Sequence, residues 1–280
     1  MGETVVAQSS RMTLSQVIDY FNAGIREAED FRCLARSSRL QLEQCFALDL
    51  LLYNATKVKR DAIQRGEEDT ANLFLGFECV IGAVRSELMM WILLKRETPN
   101  EAWDRLVAAQ MACLHATRAH KGFVHCEQRL RDLEQIESHI FPPQVFLSAG
   151  FVSDRLDCSI CDQRYSKCEH LRGRPYMGNF CEVIHRNPRG DHVAIVENPA
   201  DKRCRVVSFK TKDGHRDKLS WEIRPYEEGE LFEEDGALEA HMIFLTLDFY
   251  PYLASTEKIL GSQFSALKSN RTDQLDDMTG

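Results

Sequence analysis

Residues 158–170 read CSICDQRYSKCEH, and this stretch decides the architecture of the middle of the chain. It sets Cys158, Cys161, Cys168 and His170 in the spacing C-x2-C-x6-C-x-H. Two cysteines two apart form a knuckle whose thiolates converge on one point, and a second short pair can close a tetrahedron around Zn²⁺. Three thiolates and one imidazole fill every position of such an ion and leave none for a catalytic water. The expected cofactor is therefore a structural zinc ion. A segment organised by it needs little apolar core of its own.

Toward the C-terminus, three runs read as strands: Phe180 to Ile184, His192 to Val196 and Cys204 to Phe209, with Trp221-Glu222-Ile223 as a fourth. Asn187-Pro188-Arg189-Gly190-Asp191 reads as a hairpin connection between the first two, and Asn198-Pro199 opens the next turn. Residues 150–226 are thus expected to form a small antiparallel β domain around the zinc site. Cys181 and Cys204 fall on adjacent expected strands, where they could back up the metal site, although the favoured reading is that they are simply buried thiols. Residues 227–280 comprise an acidic loop (Glu227 to Asp235), an apolar strand or helix (Met242 to Tyr250) and a terminal helix (Thr256 to Lys268), with a frayed end.

Toward the N-terminus, residues 1–145 read as a helical bundle serving self-association or partner sensing. The first helix spans Leu14 to about Arg36, with Val17, Ile18, Phe21, Ile25 and Ala28 on one face. A second runs from Leu40 to Gln64 and stops at Gly66. The third, from Asp69-Thr70 to Arg96, is apolar on much of its surface and is expected to be central. Thr98-Pro99-Asn100-Glu101 reads as a capping box that opens a fourth helix, and Lys121-Gly122 splits that helix before Leu130, Leu133 and Ile136. Phe141-Pro142-Pro143 ends the helical half, because proline cannot donate the backbone hydrogen bond. After a linker at Ser148-Ala149-Gly150 the zinc segment begins. The fold class is α+β: an N-terminal helical bundle, a small zinc-stabilised antiparallel β domain and a short C-terminal helix.

Composition narrows the setting. The chain has 280 residues, ten cysteines and a net charge of −8. It opens without an apolar leader and turns polar by Gln8, Val6 is wrong for myristoylation, and the longest apolar run (Leu88 to Leu94) is too short for a bilayer. Five cysteines (Cys33, Cys45, Cys79, Cys113, Cys126) fall in helical stretches, where reduced cysteine is a small hydrophobe. A cytoplasmic location, with no membrane partner, is expected. Charge is unevenly spread: from Arg155 to Arg224 there are 15 Lys and Arg against 10 Asp and Glu, leaving 20 against 33 elsewhere. A basic excess on the zinc segment is what a phosphate-binding surface requires, although basic residues on a small β domain can also be merely solvated.

That segment carries an inventory suited to RNA. The 2′-hydroxyl is an internal nucleophile, so cleavage needs only a base, an acid and a cation for the phosphorane. His185 and His192 flank the 187–191 connection, which as a hairpin would bring them together, with Arg186 beside them. Arg172, Arg174, Tyr176 and Arg189 are the candidate RNA contacts, by phosphate pairing and base stacking, with Tyr165 as a further stacking platform. A non-catalytic module would use the same residues to retain RNA or to recognise a protein partner. No Walker loop, G-x-G-x-x-G or H-E-x-x-H occurs, His115, His120 and His125 share no helix face, and Arg118 lacks the His that an Arg-x4-His pair would need, since position 123 is Phe123.

Two resemblances bear on function. Residues 191–206, DHVAIVENPADKRCRV, resemble the E-V-S-L-V-x-x-P-A-N-P segment of phage prohead proteases. The strand serine that is the nucleophile in that family is Ala194 here, which implies no peptidase activity and leaves a relic of a head-maturation module as the corresponding reading. A helical half followed by a compact zinc finger with a basic, histidine-containing tail resembles the ring-activated zinc-finger ribonucleases of bacterial phage defence. That resemblance rests on architecture and on Cys158, Cys161, Cys168 and His170. It implies an endoribonuclease effector, restrained until it docks on a ring-shaped phage assembly, and it transfers no active-site positions; the expectation of a homo-oligomer comes from the helical bundle.

Overall fold

The computed structural model describes residues 12–230, 235–243 and 249–261. Five helices come first: α1 (Leu14–Glu29), α2 (Ser38–Gln64), α3 (Glu68–Lys95), α4 (Pro99–Ala119) and α5 (Cys126–Ile140). Among the described residues, ten short strands and a further short helix, α6 (Thr256–Leu260), follow. The class is α+β, as the sequence predicts. Helix α3 is buried all round over most of its length and forms the axis on which α2 and α4 pack.

Local chemistry explains the helix ends. Thr13 and Gln16 cap α1 reciprocally: the Gln16 amide donates to Thr13 Oγ1 at 3.3 Å and the Thr13 amide to Gln16 Oε1 at 2.8 Å. α1 stops at Glu29, about two turns short of the expected Arg36. The following loop is held by the buried Gln41, whose Nε2 donates to the carbonyls of Phe31 and Cys33, each at 2.9 Å. Cys33 therefore lies outside the helix and is exposed, unlike Cys45, Cys79, Cys113 and Cys126. Gly66 ends α2 at φ 72°, where a side chain would be strained. The capping box expected at Thr98 does not form. Its hydroxyl donates back to Leu93 O at 3.2 Å, and α4 starts on Pro99 without a side-chain cap.

Helix α3 carries three buried charged groups, each answered by a neighbour. Glu78 accepts from Lys59 Nζ at 2.5 Å and Thr56 Oγ1 at 2.6 Å. Arg85 pairs with Asp49, and Glu87 takes a fork of two bonds from Arg129. Buried charge is tolerated only when paired in this way.

The β half is three separate ladders. A six-stranded antiparallel sheet contains β1 (Phe146–Val152), β6 (Arg189–Val196), β7 (Arg205–Thr211), β8 (Gly214–Asp217), β9 (Ile223–Arg224) and β10 (Leu238–His241). Its order is β6-β1-β7-β8-β9, with β10 also on β7. A ribbon pairs β2 (Arg155–Cys158) with β5 (Val183–Arg186), and a tight hairpin pairs β3 (Pro175–Tyr176) with β4 (Asn179–Phe180).

Three sequence expectations fail here. The linker at Ser148-Ala149-Gly150 is the centre of β1. The 187–191 connection is no hairpin, because β5 pairs with β2 while β6 pairs with β1. Gly150 contributes to this outcome: a Cβ there would come within 2.5 Å of the His192 ring on the opposing strand. The Phe180 to Ile184 run is likewise split between β4 and β5.

The Cys/His segment is fixed to the bundle. The β3–β4 tip turns on Met177 (φ 45°) and Gly178 (φ 72°), whose amides donate to Glu68 Oε1 and Asn72 Oδ1 at 3.1 and 2.8 Å. Phe180 enters the main core. Residues 249–261 then run back across α2, α3 and α4 as a strap. The buried Tyr252 meets His115 Nδ1 at 2.9 Å through its hydroxyl and accepts from Arg85 at 2.6 Å through its carbonyl. Tyr250 donates to Glu182 Oε1 at 3.0 Å. The helix expected over Thr256 to Lys268 is present as α6, and its residues beyond 261 lie outside the described residues, as does the stretch 244–248 of the expected Met242 to Tyr250 element.

Candidate metal centre and its cationic rim

Strand β2 delivers Cys158 at its end, and the chain then turns back on itself through Cys161. The Ile160 amide points at Cys158 Sγ from 3.4 Å, the local signature of a metal-binding knuckle. A single helical turn at Tyr165–Lys167 brings Cys168 and His170 round to meet the pair. Two phenols brace this return: Tyr165 Oη accepts from the Arg172 amide at 3.0 Å, and Tyr176 Oη from the Leu171 amide at 2.9 Å. Tyr176 also sets its ring edge-on to His170, 4.6 Å between centroids.

One ligand atom from each of Cys158, Cys161, Cys168 and His170 lies within 4.8 Å of all the others. The tetrad is therefore assembled as its spacing predicts. Two further observations fit a bound cation. His170 Nδ1 is buried without a hydrogen-bond partner, as a ligating nitrogen would be. Burial pushes the Cys158 thiol up, but the Ile160 and Cys161 amides and the Cys168 and Cys181 thiols outweigh it and bring it down to about 6, so its thiolate forms readily. Three sulfurs and one nitrogen would hold a metal ion with a full coordination shell.

Cys181 is a neighbour of this site that the sequence leaves ambiguous. Its sulfur lies 3.7 Å from that of Cys158, and both side chains are fully buried. Neither cysteine lies in a strand: Cys181 falls between β4 and β5, and Cys204 immediately precedes β7 of the other sheet, where the Ile243 amide donates to its sulfur at 3.3 Å.

Around the centre the candidate functional residues separate. Arg155 and Arg186 are directly opposed on β2 and β5, and each donates to Asp157 Oδ2 at 2.8 Å. Like charges in that register repel, so the buried carboxylate is what makes the arrangement stable. The two guanidiniums in turn hold Asp157 below the usual carboxylate range. Their side chains stay 52% and 46% exposed, leaving a fixed pair of cations with one negative charge between them. Arg172 is exposed and reaches Glu182 only at 3.9 Å, Arg174 is exposed, and Arg189 meets Asp154 at 3.4 Å.

His185 adjoins Arg186 in sequence but points to the other face of the ribbon, because successive strand residues alternate. Its Nδ1 lies 2.9 Å from Ser153 Oγ. His192, in the six-stranded sheet, instead has Nδ1 at 2.9 Å from Asp191 Oδ2. Strand pairing does not unite the two histidines, and by alternation Arg186 does not share a face with His185. Arg155, which the sequence reading passed over, is the residue that completes the cation pair. Its two-residue offset from Asp157 on a strand was the available signal.

Comparison of the chain with family models, with curated proteins and with solved structures gives no match.

Proposed function

We propose that the Cys158, Cys161, Cys168 and His170 tetrad holds a structural Zn²⁺ and that the surface it organises binds RNA through its phosphates. Borderline-soft zinc suits three thiolates and an imidazole, and a closed shell makes it a scaffold for the loop bearing Arg172 and Arg174. The observation that carries the reading is the Arg155–Asp157–Arg186 cluster. Two guanidiniums already locked by a buried carboxylate lose little entropy on meeting a phosphate, and their planar forks match its oxygens. Retention of RNA is favoured over cleavage by one feature: His185 and Arg186 project from opposite faces of the same strand.

The test is purified full-length protein with single-stranded RNA, read by fluorescence anisotropy for binding and by gel for integrity. Binding that weakens steeply with salt, needs bound zinc and leaves the RNA intact is expected. Cleavage abolished by His185→Ala or His192→Ala would replace this reading with the ribonuclease one. No retention by zinc-loaded protein would leave a protein-recognition role.

A further inference from the structure

Helix α2 presents an outward stripe in which Leu50 is 61% exposed and Tyr53 66% exposed, with exposed Tyr20 of α1 alongside. Asn54 Nδ2 lies 3.5 Å from the Tyr20 hydroxyl, which places that ring beside the stripe. Large apolar groups grouped on one helical face mark an interaction surface, whereas scattered ones do not.

The charges at the two ends of this face identify the occupant. Arg39 and Asp61 lie eleven residues to either side of Leu50, and Glu43 and Lys57 lie seven to either side; all four are exposed. At 3.6 residues per turn these positions stay within the same stripe as Leu50. Reversing the helix about Leu50 therefore exchanges a cation for an anion at both distances. A parallel pairing would set each charge against its own copy.

We propose that this face of α2 docks a second copy of the same chain, antiparallel, about a two-fold axis beside Leu50. Glu43 of one copy then lies by Lys57 of the other, Arg39 by Asp61, and the Leu50 and Tyr53 side chains close the centre. The existing Arg39–Glu43 pair, 2.7 Å apart within one helix, lies at the rim and can share its charges with the partner. Such an interface is isologous and closes on itself, so the product is a dimer and not a filament.

Sedimentation velocity of the full chain over a hundredfold concentration range tests this, with circular dichroism to confirm folding of each variant. The wild type should dimerise, Leu50→Glu should be monomeric, and Glu43→Lys should weaken dimerisation at least tenfold. Adding Lys57→Glu to Glu43→Lys should restore it, because the swap regenerates both contacts. A wild type that stays monomeric, a dimer indifferent to Leu50→Glu, or a charge swap that fails to rescue would each overturn the proposal. So would protection of Leu50 and Tyr53 from covalent labelling in a monomer, which would assign the face to the chain's own terminal residues.

Discussion

The Cys181 sulfur lies 3.7 Å from the Cys158 sulfur, close to the edge of about 3.8 Å that two thiolates span on one tetrahedral zinc ion. Cys181 is nevertheless outside the group whose ligand atoms all approach one another. Burial, with Cys158 next to it, pushes its thiol up to about 12, so it serves as an S–H donor to the Cys158 thiolate. Cys158→Ser is therefore expected to drop metal content well below one per chain, with about 4 kcal/mol of stability lost if zinc is normally a thousandfold above its Kd. Cys181→Ser should keep full metal content and lose only packing. Elemental analysis and thermal unfolding of the two variants distinguish these roles.

Acid should expose His115. Burial and the neighbouring Arg118 guanidinium push His115 down to about 4, with Tyr252 Oη at 2.9 Å from Nδ1. The folded state then binds this proton less readily than the unfolded chain, whose histidine titrates near 6.5. Stability is unaffected above that value and falls as pH drops from 6.5 toward 4. From this group alone the loss between pH 7 and pH 5 is about 2 kcal/mol. Urea titrations at both pH values should show that increment in the wild type and not in His115→Gln, which shares every other acid-sensitive group including the Cys158, Cys161, Cys168 and His170 tetrad.

What the sequence made legible was what short spacings determine. The 3.6-residue pattern locates α2 and α3 nearly to the residue, and C-x2-C-x6-C-x-H names a tetrad whose members are indeed neighbours. Strand partners are chosen by contacts far apart in the chain, so 187–191 reads as a hairpin although β6 belongs to β1. The strap at 249–261 has no period of its own. Its position comes from Arg85, Asp49 and His115, all more than 130 residues earlier.

Gly82 is where that strap is most vulnerable. A Cβ on Gly82 would sit 2.7 Å from Tyr252 Cδ2 and 2.8 Å from its carbonyl oxygen, and the backbone atom cannot swing aside. Gly82→Ala should cost about 1–3 kcal/mol as an overpacked contact and should speed proteolysis within 249–261. Gly66→Ala is the matched control. Nothing crowds its Cβ, so it should lose about 1 kcal/mol to its positive φ while leaving the strap protected.

The cation pair makes the most direct demand on the proposed RNA surface. Arg155 and Arg186 are half exposed on a shared anchor, so each should contribute one phosphate contact. Replacing either by Ala should weaken single-stranded RNA binding by about 1 kcal/mol, roughly fivefold in Kd, and lower the log–log salt slope by about 0.7. Asp157→Asn separates bulk charge from geometry. It raises the net positive charge of the ribbon but removes the carboxylate that holds both guanidiniums in place. If phosphates are read by a positioned fork, affinity should fall in Asp157→Asn despite the added charge. If it rises instead, the surface attracts RNA only diffusely, and Arg155 and Arg186 have no special role. Salt titrations of all three variants by fluorescence anisotropy decide between these outcomes.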